Sequence, residues 1–133
     1  MRLPKLEYRL HALWNDPRTE KRQLSEWLVW ECGEVFLRAG RTYTGHHFEK
    51  CLVIANIDFP STHRRQGAFT RLESYLMREI PAPLIVENVL DDAFLAALLR
   101  HGYHDLERFL IRELPISVIK RPSLVKNSAA QTR

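Results

Sequence analysis

The sequence predicts a single α/β domain with a partly parallel sheet, and three observations point to it. From about residue 51 onward, short apolar runs with strand character alternate with segments whose apolar residues recur every three or four positions. Proline and glycine stand where these segments should end. The chain has 133 residues, 45% of them hydrophobic and 27% charged, which suits one domain with a substantial core.

The first 40 residues are predicted to form a strand followed by two helices. Residues 6–14 (LEYRLHALW) are interpreted as a first strand. An Asn-Asp pair before Pro17 is typical of a helix start, and apolar residues then recur three or four positions apart. We therefore expect helix from Pro17, with Gly33 dividing it into two packed pieces and Gly40 ending the second.

The middle of the chain carries the clearest strand and helix patterns. Residues 41–59 are rich in β-branched and aromatic residues and predict one or two strands, with Gly45 as a turn. The strand Cys51–Phe59 is the strongest of these, and Pro60 ends it because proline has no N–H to donate. From Ala68 to about Glu79 the apolar residues keep helical spacing, which predicts a helix.

The last third predicts a strand, a helix and a closing strand or two. The run 83–90 (PLIVENVL) is interpreted as a second core strand. Asp91 and Asp92 precede the segment AFLAALLR, which suits a helix N-terminus because carboxylates accept free backbone N–H groups there. Gly102 ends that helix, and residues 103–115 supply the closing strands.

Charge and cysteine content restrict the classes of function. A formal net charge of +4 helps to hold a polyanion, either a nucleic acid or a phosphorylated cofactor. Two cysteines cannot form a disulfide framework and no Cys/His spacing resembles a zinc site, so we predict no metal and a reduced, cytoplasmic setting. No secretory leader or membrane-spanning run is expected. The predicted domain covers residues 1–120, and residues 121–133 are predicted to be a flexible tail.

A basic, glycine-containing stretch lies between the strongest strand and the helix after it. At such a corner of a parallel sheet, unpaired backbone N–H groups face outward and can bind a phosphate. Gly67 would let a diphosphate approach the backbone, while the amides of Arg65, Gly67, Phe69 and Thr70 converge on it and Arg64 adds charge. A solvated basic turn explains the same residues equally well. The dinucleotide fingerprint and the phosphate loop of nucleotide triphosphatases are both excluded, because their glycines and lysine are missing.

Read together, these segments resemble the core of the GNAT superfamily of N-acetyltransferases over about Cys51–Tyr103. In that family a strand leads to a Gln/Arg-x-x-Gly-x-Gly/Ala motif whose amides hold the diphosphate of coenzyme A. Residues 64–69 (RRQGAF) fill these places, with Phe69 where a small residue is usual. Later in the motif Asp91 replaces the usual Asn, Leu98 replaces the usual Tyr, and Gly102 and Tyr103 close the pattern.

The resemblance implies a GNAT-like three-layer sandwich whose mixed central sheet is splayed at the cofactor site. Acetyl-CoA would lie at the end of the Cys51–Phe59 strand, and the amide of Ile57 would stabilise the oxyanion that develops during acetyl transfer. The residues implied in cofactor binding are Ile57, Phe59, Arg64, Arg65, Gly67, Ala68, Phe69 and Thr70. The implied function is acetyl-CoA-dependent N-acetylation of a primary amine on a protein, peptide or small molecule.

The general base is the weakest part of this prediction. An amine nucleophile must lose protons, and a carboxylate or a water that it orients usually assists. The family position for a glutamate base is Val53 here, so Glu87 is the preferred carboxylate, with Asp58 and Glu49 in reserve. A register slip of one residue would turn Glu87 away from the site. Leu98 removes the tyrosine that often protonates the departing thiolate, a loss that a good leaving group tolerates.

Several other residues receive structural interpretations. His46 and His47 are adjacent, so on a strand they would face opposite ways and could not both bind one metal. Trp27 and Trp30 are predicted to share a helix face as core or interface anchors. Cys51 is predicted to be buried, since no base is placed to activate it.

Two alternatives stay open beside the enzyme. Val53 and Leu98 at usual catalytic positions suggest a weak or inactive GNAT-like protein that binds a macromolecular partner. The net charge and the basic residues Arg64, Arg65 and Arg71 suggest a small nucleic-acid binder, which we rank last because no recognised nucleic-acid motif is present. The acceptor cannot be chosen from the sequence, and a homodimer is left open.

Overall fold

The computed structural model describes residues 2–45, 47–60, 67–106 and 116–122. These residues form three α-helices, one 3-10 turn and six strands. In chain order they are α1 (Leu6–Trp14), the 3-10 turn (Pro17–Glu20), β1 (Leu24–Trp30), β2 (Gly33–Tyr43), β3 (Phe48–Asp58), α2 (Ala68–Glu79), β4 (Leu84–Val89), α3 (Asp92–Arg100), β5 (His104–Asp105) and β6 (Ile116–Lys120).

The six strands form one mixed sheet in the order β1-β2-β3-β4-β6-β5. Strands β3 and β4 run parallel and are joined by the crossover helix α2, while the other described neighbours are antiparallel. The sequence-based prediction of an α/β domain with a partly parallel sheet is therefore confirmed. No helix in the described ranges is long and apolar enough to cross a membrane.

The main core lies between the sheet and the three helices. Leu10 of α1, Leu72 of α2 and Leu98 of α3 all belong to one buried cluster, to which strands β1 to β4 and β6 contribute. A smaller cluster on the opposite face contains no residue of the described helices. It consists of Cys51, Val53, Ile85, Leu106 and Ile119. The described helices thus cover one face of the sheet, and the three-layer arrangement of the acetyltransferase fold stays a prediction.

The predicted first strand at residues 6–14 is wrong, because these residues form helix α1. Leu6, Leu10 and Leu13 are spaced by four and three residues and are at most 3% exposed. This spacing places all three on one helix face against the sheet. The helical period was present, but only three leucines in nine residues carried it.

The two helices predicted between Pro17 and Gly40 are also wrong, because the chain forms the hairpin β1–β2 after one 3-10 turn. Burial alternates along β2 from Gly33 to Ala39, as a half-buried strand requires. Gly40 does not end a helix: it lies inside β2 with φ +149°, and a Cβ there would lie 2.6 Å from the carbonyl oxygen of Arg22. Close backbone approach explains this glycine.

Trp27 and Trp30 do not share a face, because residues three apart on a strand point to opposite sides. Trp30 packs against the main core, with its ring centroid 5.4 Å from that of Tyr75. Trp27 stacks on Phe36 across the hairpin at 4.9 Å and keeps 38% of its surface exposed. The hairpin therefore presents one tryptophan to the helices and one to solvent.

From β3 to α3 the predicted elements are confirmed. β3, α2, β4 and α3 occur where the periodicity placed them, and α2 has the predicted bounds Ala68–Glu79. Asp91 caps α3 as expected, since its side chain accepts hydrogen bonds from the amides of Ala93 at 2.9 Å and Phe94 at 3.4 Å. Cys51 is fully buried, and burial raises the pKa of its thiol to about 12.

Arg121, the first residue of the predicted tail, is held against the start of β3. Its guanidinium donates to both carboxylate oxygens of Glu49, at 2.8 and 2.9 Å. Thr44 and His47 also contact that carboxylate. Residues 123–133 lie outside the described residues, as does His46.

We expect the Glu49–Arg121 pair to make stability depend on acid pH. The Arg121 hydrogen bonds, with help from Thr44 and against the effect of burial, lower the pKa of Glu49 from 4.5 to about 2. A carboxyl whose pKa is depressed in the folded state stabilises it above the unfolded pKa, and this contribution disappears as the pH falls from about 4.5 through about 2. Arg121 is half exposed, so we expect only about 1–2 kcal/mol after solvent screening.

Urea unfolding of the unmodified chain and of Glu49→Gln at pH 7, 4.5 and 2.5 measures this contribution. The difference in unfolding free energy between the two proteins should be constant from pH 7 to near pH 5 and shrink below it. A difference that stays the same at all three pH values would contradict the assignment.

Candidate functional site

The only parallel pair among the described strands separates before either strand ends. β3 and β4 pair from Leu52 to Ile54 and from Leu84 to Val86, yet β3 continues to Asp58 and β4 to Val89. The unpaired ends line a cavity of about 600 Å³. Its walls include Ala55, Asn56 and Ile57 of β3 and Glu87, Asn88 and Val89 of β4. A split therefore opens at the carboxyl ends of two parallel strands, where such sheets bind ligands.

Both strands carry an irregularity at the level of the split. On β3, Ala55 and Asn56 together face Phe36 of β2, because Phe36 pairs with Asn56 and Leu37 pairs with Ile54. This is a β-bulge, which bends a strand and increases its twist. On β4, the register with β6 shifts between Val86 and Val89, and Asn88 has φ +57°. The bend in each strand accounts for their separation.

The bulge also turns the amide of Ile57 into the split. The amide of Leu52 donates to Pro83 at the start of β4, so it points away from β2. Along a strand, successive amides point alternately to the two neighbouring strands, and successive side chains point alternately to the two faces of the sheet. One inserted residue shifts both alternations by one position. Leu52 and Ile54 before the bulge, and Ile57 and Phe59 after it, all reach the main core cluster. Ile57 and Phe59 therefore share the amide direction of Leu52.

The hairpin gives the same result independently. Trp30 and Gly33 flank a two-residue turn and so form a hydrogen-bonded pair. Alternate residues of β2 form their backbone hydrogen bonds toward β1 and toward β3. Because Gly33 bonds toward β1, Glu34 and Phe36 bond toward β3, where they face Asp58 and Asn56. Ile57 lies between those two and faces the other way, into the split. The predicted oxyanion donor thus has the required direction.

The N-terminus of α2 begins beside this split. Gly67 precedes the helix in the left-handed conformation, with φ +83° and ψ +28°, which favours glycine. Its carbonyl accepts the first helical hydrogen bond, from the amide of Arg71 at 3.1 Å. The amides of Ala68, Phe69 and Thr70 therefore precede the helical ladder, and no side chain in the described ranges caps them. Arg64 and Arg65 lie outside the described residues.

Phe69 forms part of a second cavity rather than closing the corner. Its ring meets Phe94 of α3 edge to face, with centroids 5.1 Å apart. The cavity has a volume of about 470 Å³ and lies between the N-termini of α2 and α3. Its walls are Ile57, Asp58, Phe59, Phe69, Asp91, Ala93 and Phe94, of which Ile57, Asp91 and Phe94 also line the split. The split and this cavity therefore adjoin each other, and the side chain of Ala68 is buried at 0% exposure.

Glu87 lies at the split as predicted, but it is ion-paired. Nη1 of Arg38 on β2 donates to both of its carboxylate oxygens, at 3.1 and 3.0 Å. The side chains of Arg38 and Glu87 are 24% and 12% exposed. A carboxylate that is held in this way is fixed in position and can orient a water or an amine at the split.

The other predicted or reserve residues fall into two groups. Asp58 is exposed at the rim of the cavity beside Ile57, whereas Glu49 lies at the opposite end of β3 and is held by Arg121. Val53 and Leu98 are buried at 0% and 1% exposure, so neither side chain reaches the split. Asp58 and Glu87 are thus the two predicted carboxylates that the structure brings to the site.

Sequence reasoning missed Arg38, because it placed that residue near the end of a helix. On β2 the residue faces Val53 across the sheet and reaches Glu87 two strands away. The burial alternation Val35, Leu37, Ala39 was the pattern that could have placed Arg38 on a strand.

No protein-family model, curated protein or solved structure matches this chain significantly.

Proposed function

We propose that this chain is an acetyl-CoA-dependent N-acetyltransferase that acts on a primary amine. The observation that carries the proposal is the bulged split between β3 and β4, which directs the amide of Ile57 into a cavity next to a helix N-terminus that no described side chain caps. A thioester needs a backbone donor of this kind at its carbonyl oxygen, and its carrier needs anion-binding amides nearby. The GNAT-like splayed sheet is part of the same proposal.

The described residues offer coenzyme A backbone donors for its diphosphate and a partly apolar path for its pantetheine chain. The amides of Ala68, Phe69 and Thr70 would hold the diphosphate, and the unpaired edge of β3 at Ile57 and Phe59 would hold the pantetheine chain. The cavity beside Phe69 gives that chain a partly apolar path. Asp91 also lines this path, but its carboxylate is occupied by two amides of α3. Acetyl-CoA, when bound, supplies an activated thioester.

The chain's own groups would then act on the developing charges. The Ile57 amide would stabilise negative charge on the thioester oxygen while the C–N bond forms and the C–S bond breaks. Glu87, fixed by Arg38, would orient the amine or a water that accepts its proton. No tyrosine stands at position 98, so the departing thiolate takes its proton from solvent or from the acceptor.

Calorimetry with acetyl-CoA, followed by thiol-release assays over a panel of primary amines, tests the proposal. We expect one binding site with micromolar affinity and thiol release with at least one class of amine. Absence of micromolar binding would overturn the proposal, as would binding of free pantetheine and coenzyme A with equal affinity.

A catalytically weak protein that binds a macromolecular partner is the second candidate. It is favoured by the Arg38–Glu87 ion pair, and by Val53 and Leu98, which are buried in the two cores and offer no acid or base. Cofactor binding without thiol release for any amine, together with a stable partner in a pull-down, would support it. Nucleic-acid binding stays last, since Arg71 of the basic stretch is already engaged by Glu31.

A further inference from the structure

The hairpin formed by β2 and β3 carries two basic and two aromatic side chains on one face of the sheet, next to its turn. Arg41 pairs with Lys50, and Tyr43 pairs with Phe48, in the antiparallel register. Directly opposed residues share a sheet face, as do residues two apart on one strand, so these four side chains form one surface. We call these four residues the hairpin patch. The patch lies at the start of β3, whereas the split lies at the other end of that strand.

The aromatic half of the hairpin patch is exposed and held in position. The rings of Tyr43 and Phe48 are in contact, with centroids 5.3 Å apart and planes inclined by 55°. Tyr43 keeps 39% of its surface exposed, and Phe48 keeps 60%. The Tyr43 hydroxyl donates to the carbonyl oxygen of Gly45 at 2.9 Å, which anchors the ring within the hairpin. Exposed aromatic rings that are already ordered offer flat surfaces on which planar groups can stack at a small entropic cost.

Basic side chains surround the aromatic pair. Nη2 of Arg41 donates to the backbone carbonyl of Phe48 at 3.2 Å, which places the guanidinium beside the pair. A Cβ on Gly40 would lie 2.6 Å from the carbonyl oxygen of Arg22, so Arg22 and the preceding Lys21 pass next to Arg41. Lys21, Arg22 and Arg41 are exposed, and none of them forms an ion pair with a residue of the described ranges. These three cations can therefore meet an anionic partner.

Lys50 extends this surface to the end of α1. Its Nζ lies over the Trp14 ring, 4.4 Å from the centroid, and donates to the carbonyl oxygen of Trp14 at 2.7 Å. Two carboxylates share the surface: Glu20, 3.3 Å from the Lys50 Nζ, and Asp16, which Arg18 holds. Residues 14–22 and the hairpin patch together contain five basic and two acidic residues, so the charge complements a polyanion.

We propose that the hairpin patch and the neighbouring residues Lys21 and Arg22 bind a single-stranded nucleic acid. Bases stack on Tyr43 and Phe48, and phosphates meet the flanking cations, which is the combination that single-strand binding uses. The proposal goes beyond the acetyltransferase activity and does not rest on it. It also avoids the basic stretch around Arg71, whose guanidinium is already engaged.

The charge and shape of the surface favour a single strand over a duplex or a lipid surface. A duplex keeps its bases inside the stack, where rings on a hairpin cannot reach them. A flat anionic membrane would meet Asp16 and Glu20 together with the cations, and these carboxylates would repel its headgroups. A narrow, flexible strand can follow the aromatic and basic side chains alone. RNA and DNA strands both supply the bases and phosphates that this surface accommodates.

Fluorescence anisotropy with labelled oligouridylate and oligothymidylate of about 12 nucleotides tests the proposal. Phe48→Ser should weaken binding about 5- to 100-fold through loss of base stacking. Tyr8→Ser is the matched control: Tyr8 is 76% exposed, with the Lys5 Nζ 5.6 Å from its ring centroid, but it lies near the N-terminal end of α1. This control should bind like the unmodified chain. Tighter binding of one of the two oligonucleotides would assign the site to RNA or to DNA.

A second pair of variants tests the phosphate contacts. Arg41→Gln should weaken binding and reduce the slope of log affinity against log salt concentration by about 0.7, as expected for one lost contact with a single strand. Arg100→Gln removes the same charge from the exposed end of α3 and should leave the slope unchanged. Urea unfolding shows that each variant is folded.

Three results would overturn the proposal. They are the absence of oligonucleotide binding at about 50 mM salt, equal losses of affinity in Phe48→Ser and Tyr8→Ser, and binding of a duplex as tightly as of a single strand. Phe48-dependent binding to vesicles of anionic lipid, with no binding of either oligonucleotide, would also overturn it and would assign the surface to a membrane.

Discussion

Replacing Ile57 by proline is expected to lower acetyl transfer about 100- to 1,000-fold, the usual cost of losing one oxyanion donor. Proline removes the amide hydrogen that points into the split, and this amide contributes no bond to the β2–β3 ladder. The neighbouring bulge already interrupts regular pairing, which is the setting in which strands tolerate proline. Affinity for acetyl-CoA should change far less than turnover, because the donor acts mainly as charge develops.

Two control variants separate this role from a structural one. Ile57→Val keeps the amide and should retain turnover close to that of the unmodified chain. Asp58→Pro removes an amide that bonds toward β2, opposite Glu34, and should destabilise the fold without a selective effect on turnover. Single-turnover kinetics and chemical unfolding measure the two effects. If Ile57→Pro remains folded and keeps full turnover, the Ile57 amide is not the donor.

The sequence predicted the part of the fold in which each element has one dominant period. The strand Cys51–Phe59 is a mainly apolar run between Lys50 and Pro60, and helix Ala68–Glu79 has one apolar stripe that Pro81 follows. Local preference and tertiary burial agree in these elements, so the pattern alone was sufficient.

The prediction for the first 43 residues was wrong because their apolar residues fit both a helical and a strand period. Leu24, Trp27 and Leu28 are spaced as on a helix, yet the side chains of β1 alternate across an edge strand that is only partly buried. Edge strands lose the clean apolar alternation that identifies a strand buried on one face. The partner strand decided the outcome: pairing of β1 with β2 buries Leu28 against Val35, a contact that no local window contains.

The residues of the candidate site could be named from the sequence, but their geometry could not. The resemblance placed Ile57 and Gly67, but the bulge at Ala55 and Asn56 that turns the Ile57 amide has no local sequence pattern. The Arg38–Glu87 ion pair joins two residues that are 49 positions apart in the chain, and it could not be predicted while Arg38 was assigned to a helix.

The β1–β2 hairpin, which the sequence-based prediction assigned to helices, also supports the N-terminus of α2. The Trp30 indole donates a hydrogen bond to the carbonyl oxygen of Ala68, and Glu31 forms an ion pair with Arg71. The β1–β2 turn therefore contacts the first turn of α2 at two points. Glu31 adopts φ +54° at this turn, a conformation that costs a non-glycine residue about 1 kcal/mol or more. The first turn of α2 is therefore held by the N-terminal third of the chain, which sequence reasoning had left without a role.

Gly67 provides the second large expected effect. Gly67→Val should weaken coenzyme A binding about 100-fold or more, since the diphosphate would lose at least two charge-assisted hydrogen bonds to helical amides. Valine also resists the left-handed conformation that Gly67 adopts at φ +83°, so part of the loss could come from strain alone.

Gly67→Asn separates strain from close approach, because asparagine tolerates the left-handed region. Among the residues that the structure describes, a Cβ at this position would meet only Arg71 Nη1, at an ordinary 3.5 Å. If the corner exists to let a diphosphate approach the backbone, Gly67→Asn should keep its unfolding free energy within about 1 kcal/mol and still bind coenzyme A much more weakly. Affinity for acetyl-pantetheine, which lacks the diphosphate, should be the same in all three proteins. An asparagine variant that binds coenzyme A as tightly as the glycine protein would show that the left-handed turn serves only the start of α2, and that the diphosphate lies elsewhere.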